Sequence, residues 1–224
     1  MSDPTRSGLA LIFDMDGVIV DSNPAHREAW ARFNLQYGLA TTDDMFSRMY
    51  GRRNDEIVRD YFGDHLSDDE VAARGRTKEA LYRDMITDHL EEMLVPGIRA
   101  FLERYRGTPM AVASNAEPEN VNLVLDRAGL RPYFQAVVDG HQVRNPKPHP
   151  DVYLLASRLL GVSPSNCLVF EDSPSGAIAG AAAGMRVIGL RTTYVNLPEV
   201  VLSVDNFISG ELDEWVQAQF RLTS

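Results

Sequence analysis

Cysteine is almost missing from this chain. Cys167 is the only one in 224 residues, so no disulfide can form within it. That thiol sits in the apolar run Cys167–Phe170, the setting of a small buried core residue rather than a reactive nucleophile. Such a chain suits a reducing cytoplasm. Long apolar runs are missing too: none reaches the ~20 residues that a membrane-spanning helix needs. The amino-terminal stretch, residues 1–8, is polar and lacks the apolar segment of a signal peptide. Glycines four apart at Gly176, Gly180 and Gly184 would suggest dimerisation in a membrane helix, but the surrounding run is short and soon meets Arg186. A helix packed closely on a sheet is the better reading. Positive charge is scarce: 22 Lys and Arg stand against 32 Asp and Glu, a net charge of −10. This excludes broad binding to nucleic acid or an anionic membrane surface, and leaves anionic small molecules only where cations gather locally. There is no internal repeat, no low-complexity tract and no heptad seam, so no protein partner is implied.

What is there reads as an α/β protein. Short runs rich in β-branched residues recur at Leu9–Phe13, Met110–Ala113, Ala136–Val138, Cys167–Phe170 and Val187–Leu190, with a weaker one at Val204–Ile208. From residue 97 onward they alternate with helical patterns at Gly97–Arg106, Pro118–Ala128, Pro150–Leu160, Pro174–Ala183 and Glu211–Phe220. Such alternation predicts a Rossmann-like parallel sheet with helices on both faces. Prolines open several of the helices, and Gly129, Gly161 and Gly184 are placed to end others. Pro24 to Glu92 breaks the pattern and reads as three or four amphipathic helices, with Ala25, Ala29, Trp30 and Phe33 on one face. The simplest account is an inserted helical cap over residues 23–92, with the core made of residues 1–22 and 93–224.

The chemistry collects after four of the strands. Asp14 and Asp16 follow the first, two residues apart and immediately before Gly17. In an extended strand the side-chain period is two, so both carboxylates leave on one face. A solvated turn would account for this couplet; so would a bound cation, a shared proton, or a division between nucleophile and acid/base. Ser114 and Asn115 follow the second strand, Lys147 comes after the third and a loop, and Glu171, Asp172 and Ser173 follow the fourth. Each has an ordinary explanation: a helix N-cap before Pro118, a solvated loop lysine, acids at a helix start before Pro174. Ligands of open parallel sheets, however, bind at the carboxyl ends of strands, where these four clusters would meet. Together they supply carboxylates for a hard cation, donors for phosphate oxygens and a lysine for residual charge. A carboxylate ~4 Å from one phosphate charge costs roughly 4 kcal/mol at an effective dielectric near 20. Several carboxylates around a dianion therefore demand a divalent cation and a lysine.

These motifs identify the chain as resembling the haloacid dehalogenase superfamily, in its β-phosphoglucomutase-like branch. They are Phe13–Ser22, with its Asp14, Asp16, Gly17 and Asp21, then Ala113–Asn115, Pro146–Pro148 and Phe170–Gly176. The resemblance implies Asp14 as nucleophile, forming an aspartyl-phosphate, and Asp16 as the acid/base for leaving group and water. It implies Mg²⁺ on the Asp14 carboxylate, the Asp16 carbonyl and Asp172, with Glu171 ligating or standing behind. Ser114, Asn115 and Lys147 would hold the phosphoryl group, and the helical insertion would close over it. Dehalogenases and phosphonate hydrolases of the superfamily lack an aspartate at position 16, so its presence turns the reading toward phosphate esters.

The expectation is thus a Mg²⁺-dependent phosphatase acting on a small phosphorylated metabolite, a sugar or polyol phosphate in particular. The alternatives are a phosphomutase using the same intermediate and a non-catalytic phosphometabolite-binding protein. For the cap, His26 would reach Asp16 or substrate, Lys78 would face the site, and Arg53 would reach an anionic or hydroxylated substrate. The mutase's sugar-phosphate arginine would fall at Asn54, whereas here the arginines stand at 52 and 53.

Overall fold

A computed structural model describes residues 8–223 of the chain; the polar stretch up to residue 7 lies outside the described residues. Six parallel strands form one sheet in the order β3-β2-β1-β4-β5-β6. β1 is Ala10–Phe13, followed by four helices: α1 (Asn23–Leu35), α2 (Asp43–Ser47), α3 (Asn54–Phe62) and α4 (Asp68–Ile86). Then come α5 (Ile98–Arg104), β2 (Met110–Ala113), α6 (Pro118–Arg127), β3 (Ala136–Val138), α7 (Asp151–Leu160) and β4 (Cys167–Glu171). The chain finishes with α8 (Pro174–Ala182), β5 (Arg186–Leu190), β6 (Val200–Val204) and α9 (Gly210–Thr223). The strand order reverses direction between β1 and β4, the switch point at which open α/β sheets form a crevice.

The strands are apolar on both faces because helices cover both. Leu9, Leu11 and Phe13 enter one core and Ala10 and Ile12 the other, as a period of two requires. Beneath the switch point Phe13 stacks on Phe170 at 4.6 Å, with their planes 6° apart. The next residues along, Asp14 and Glu171, inherit that rigid footing. Gly180 on α8 lets the helix press onto the sheet: a Cβ there would lie 2.8 Å from Val187. The close-packed soluble helix expected for the spaced glycines is what forms.

The sixth strand differs from expectation. It runs over Val200–Val204, not Val204–Ile208. The apolar Phe207 and Ile208 suggest a strand, but Asn206 folds its side chain onto the Ile208 N–H, and the Phe207 N–H donates to Pro96. Phe207 thereby turns inward onto Phe101 and Phe170. A side-chain turn here outcompetes strand pairing.

Helices α1–α4 carry a core of their own, with Trp30, Phe33, Phe46, Ile57 and Val58. A capping box between Ser67 and Glu70 opens α4. The two chain ends of this helical block meet: Asp21 donates to Met93 and Val95 donates to Ile19, at 2.7 and 3.0 Å. The block therefore enters and leaves the sheet layer through one paired stem, directly beside Asp16.

Candidate active site

A cavity lies between the strand ends and α1–α4, with Asp14, Asp16, Lys147 and Asp172 on its floor and Trp30, Asn54, Lys78 and Glu79 above. At its centre Lys147 is buried, and its ammonium uses all three N–H groups. They go to Asp14 Oδ1 at 2.7 Å, Glu171 Oε1 at 2.6 Å and the Ala113 carbonyl at 3.1 Å. Burial works against this charge, but the two carboxylates outweigh it and hold the lysine protonated, well above its ordinary value.

Glu171 is saturated. Oε1 accepts from Lys147 and from the Tyr153 hydroxyl, and Oε2 from the Asp172 N–H, the Ser173 N–H and the Ser173 hydroxyl. Gly176 makes room for it, since a Cβ there would sit 1.7 Å from Oε1. Of the two roles open to Glu171, ligand or outer partner, this geometry favours the latter: it anchors Lys147 and braces the loop carrying Asp172. Ser173 caps α8 through the Gly176 N–H.

Asp14, Glu171 and Asp172 offer carboxylate oxygens all within 4.8 Å of one another. Burial lifts Asp14 to about 7; Lys147 opposes this, and the neighbouring Glu171 and Asp16 add to it. Burial lifts Asp172 well above its ordinary value as well, with Glu171 and Asp14 adding to it. Two buried carboxylates straining toward protonation beside a third describe a site short of positive charge. A divalent cation would correct that, and the all-oxygen donor set suits a hard one. Asp14 and Asp172 fit as direct ligands. The Asp16 side chain turns elsewhere: it accepts from the Ser22 hydroxyl at 2.5 Å and lies 3.4 Å from His26 Nε2. Burial would raise Asp16, yet His26 and Ser22 outweigh it and hold the carboxyl below its ordinary value.

Ser114 and Asn115 line the same cavity as Lys147, and neither caps α6, whose N-cap is Glu117. Ser114 Oγ accepts from the Ala116 N–H. Asn115 accepts from the Lys147 N–H and donates to the Gly51 carbonyl at 2.9 Å, tying the floor to the helical block.

Above the floor, His26 stacks on Tyr82 with ring centroids 3.7 Å apart. Lys78 Nζ lies 2.7 Å from His26 Nδ1. With the ammonium donating to Nδ1, the ring's own proton is on Nε2, facing Asp16. Lys78 also bonds Glu79, which takes amide donors from Asn54 and, across the interface, from Asn120 on α6 at 2.6 Å. Burial raises Glu79, but Lys78, His26 and Asn120 prevail and bring it down to about 2.

Arg53 does not reach this cavity. Its guanidinium donates to the carbonyls of Gly140 and Val143 and lines the neighbouring cleft, so it clamps helices to core instead of facing Asp14. Arg52 does line the cavity, with donors engaged by Asp60, the Arg48 carbonyl and the Glu56 carbonyl. Sequence reading missed Glu79, Asn120 and Tyr153, which carry no local signal. It also missed Asn23 and Thr193, both on Asp172 Oδ2. Thr193 had a signal: Thr192 and Thr193 follow strand β5 as the four polar clusters follow theirs.

Comparison with known proteins settles the lineage. A family profile described as haloacid dehalogenase-like hydrolase matches residues 9–184. This chain belongs to that family. It is 36% identical over 182 residues to the fructose-1-phosphate phosphatase YqaB of Escherichia coli (strain K12), covering 81% of this chain and 95% of that protein. It is 29% identical to the β-phosphoglucomutase of Bacillus subtilis (strain 168), covering 95% of this chain and 97% of that one. Among solved structures, the β-phosphoglucomutase of Clostridium difficile superposes with a TM-score of 0.84 at 26% identity, over 95% of this chain and 96% of that chain. The Rossmann-like core with an inserted helical block is thus the family's architecture. Among the described residues, no helix is long and apolar enough to cross a membrane.

Proposed function

We propose that this protein is a Mg²⁺-dependent phosphatase of small phosphomonoesters, sugar or polyol phosphates above all, working through an aspartyl-phosphate. The observation that carries the reading is the buried set Asp14, Lys147, Glu171 and Asp172 under a roofed cavity, with Asp16 beside Asp14 but held by different partners. In this reading Asp14 attacks phosphorus and the ester oxygen leaves with a proton from Asp16. Water then attacks the acyl phosphate while Asp16 takes its proton. His26, aimed at Asp16 and bonded to Lys78, would position that carboxyl for both transfers. Asp14 and Asp172 would hold Mg²⁺, which when bound would supply the positive charge that the phosphate and carboxylates together require. Ser114, the loop at Asn115 and Lys147 would grip the phosphoryl oxygens, and residues 23–92 would act as the cap that excludes bulk water. We place the reaction in a reducing cytoplasm, where Cys167, buried and pushed up to about 11, stays a free thiol.

The choice between hydrolysis and phosphoryl return turns on the end of the cavity away from Asp14. A mutase must seat a second phosphate there. Glu79 and Glu117 line it with Asn54 and Asn120, while Lys78 and Arg52 are already bonded to carboxylates. Glu79 and Glu117 place negative charge where a second dianion would sit, and the cations beside them are spent on carboxylates. Relatives with both activities make the test direct. Incubated with Mg²⁺ and fructose 1-phosphate, hexitol phosphates or β-glucose 1-phosphate plus a bisphosphate primer, the protein should release inorganic phosphate in step with substrate loss. Glucose 6-phosphate forming without matching phosphate would reverse the assignment to a mutase. No turnover across the panel would leave a binding protein.

A further inference from the structure

Asp172 is held in an unusual way on the side away from Asp14. Its Oδ2 accepts from Asn23 Nδ2 at 3.1 Å and from the Thr193 hydroxyl. The second amide hydrogen of Asn23 goes to Thr193 Oγ1, closing a three-membered ring of donors and acceptors. Gly17 backs the same oxygen so closely that a Cβ would lie 1.9 Å from it. Thr192 fixes the ring from outside by donating to the Gly17 carbonyl at 2.6 Å. The three groups come from three places: the turn after β1, the first residue of α1 and the loop after β5. Gly17 belongs to the first motif read from the sequence, whereas Asn23 and Thr193 lie outside all four.

From this arrangement we infer that Thr193 and Asn23 are metal-selecting positioning residues: they withhold Oδ2 of Asp172 and make it a one-oxygen ligand. The consequence follows from ion chemistry. Mg²⁺ is small, demands near-octahedral geometry and takes carboxylates through single oxygens. Ca²⁺ accepts six to eight ligands at longer distances and gains from a carboxylate that chelates with both oxygens. A carboxylate whose second oxygen is already bonded twice by side chains cannot chelate without breaking those bonds. The ring thus favours the smaller ion and denies the larger one a ligand. The inference rests on the proposal that Asp14 and Asp172 bind the ion.

Isothermal titration of metal-free protein with Mg²⁺ alone and with Ca²⁺ alone, no substrate present, tests it. Thr193→Val keeps the shape and removes the donor. It should weaken Mg²⁺ binding about 10–100-fold, the usual cost of losing an outer partner of a ligand, while Ca²⁺ binding holds or tightens. Thr193→Ser restores the hydroxyl and should recover the wild-type preference. Asn23→Ala removes one of the two donors and should shift the Mg²⁺/Ca²⁺ ratio the same way by less; it stands in if Thr193→Val does not melt cooperatively. Unchanged Mg²⁺ affinity, or equal loss of both ions, overturns the inference and leaves the phosphatase reading intact. Wild-type protein that binds neither ion overturns the metal reading itself, and this inference with it.

Discussion

The floor and the roof of the cavity are built on different terms. On the floor, Asp14, Lys147 and Glu171 are buried side chains whose donors and acceptors are filled by strand ends, loop N–H groups and one another. On the roof, Lys78 and Glu79 are equally buried, yet Glu79 needs Asn120, a residue of the floor's own helix α6, to complete it. The Asn115 bond to Gly51 and the Tyr194 hydroxyl bond to Ser47 likewise cross between the two parts. The set Asp14, Lys147 and Glu171 is therefore complete by itself, whereas Glu79 above is complete only when the roof rests on the floor. Asp16 and Asp172 in turn take His26 and Asn23 from α1. In the reaction proposed above, a pair of this kind would divide the work: chemistry preorganised below, and substrate entry reconciled with closure above.

The floor breaks most severely. Asp14→Asn should reduce phosphate release at least ~10⁴-fold, since nothing else in reach can attack phosphorus. The same change should stabilise metal-free protein. Asp14 is near 7 when folded against 3.8 otherwise, so the folded form holds the extra proton between those values. That contribution favours folding at low pH and disappears as pH rises through 7. Metal-free melting curves should show the variant's advantage growing from pH 5 to pH 8; an advantage that shrinks or stays flat breaks the argument. Lys147→Met is next. It strands Glu171 and Asp14 together without a cation, and breaking a buried pair in this way costs roughly 3–5 kcal/mol. Denaturant titration at pH 7 should show that loss, and a midpoint equal to wild type would mean the cluster is solvated.

The roof should yield less and yield differently. Asn120→Ala removes one donor from a buried carboxylate, a loss of about 1–3 kcal/mol shared between closure and folding. Glu79 lies near 2 when folded against 4.5 otherwise, so its support is full above 4.5 and is lost as pH falls toward 2. The variant's acid-unfolding midpoint should therefore move to higher pH. If its midpoint matches wild type while kcat/KM on sugar phosphates falls, Asn120 acts on closure alone and the roof is more independent than its bonds suggest.

The floor was legible because its signal is local. Asp14 and Asp16, Ser114, and Glu171 with Asp172 each follow an apolar run that predicts a strand, and parallel sheets gather strand ends. Lys147 sits among three prolines, and its loop needed only the order of the motifs. Glu171 was legible as a residue but not in its role: its five hydrogen bonds include one from Tyr153, 18 residues away on helix α7. Arg53 was misdirected for a similar reason. Nothing near it in sequence says that the carbonyls of Gly140 and Val143, 87 and 90 residues on, will claim its guanidinium. The last strand slipped by four residues because a single Asn206 turn outweighed two apolar side chains.

By itself, then, the sequence determined the layered α/β core, the inserted helices and the polar set at the strand ends. These follow from side-chain periods of 2 and 3.6 and from short motifs, which the chain fixes over a few residues. Only the tertiary structure decided which oxygen of each carboxylate is free, that Asp16 turns to His26, that Glu79 and Glu117 line the cavity, and that Asn23 and Thr193 grip Asp172. Each of those depends on a hydrogen-bond partner supplied from far along the chain, 149 residues in the case of Asn23 and Asp172. A donor's direction is set where two elements pack, and no local pattern encodes that meeting.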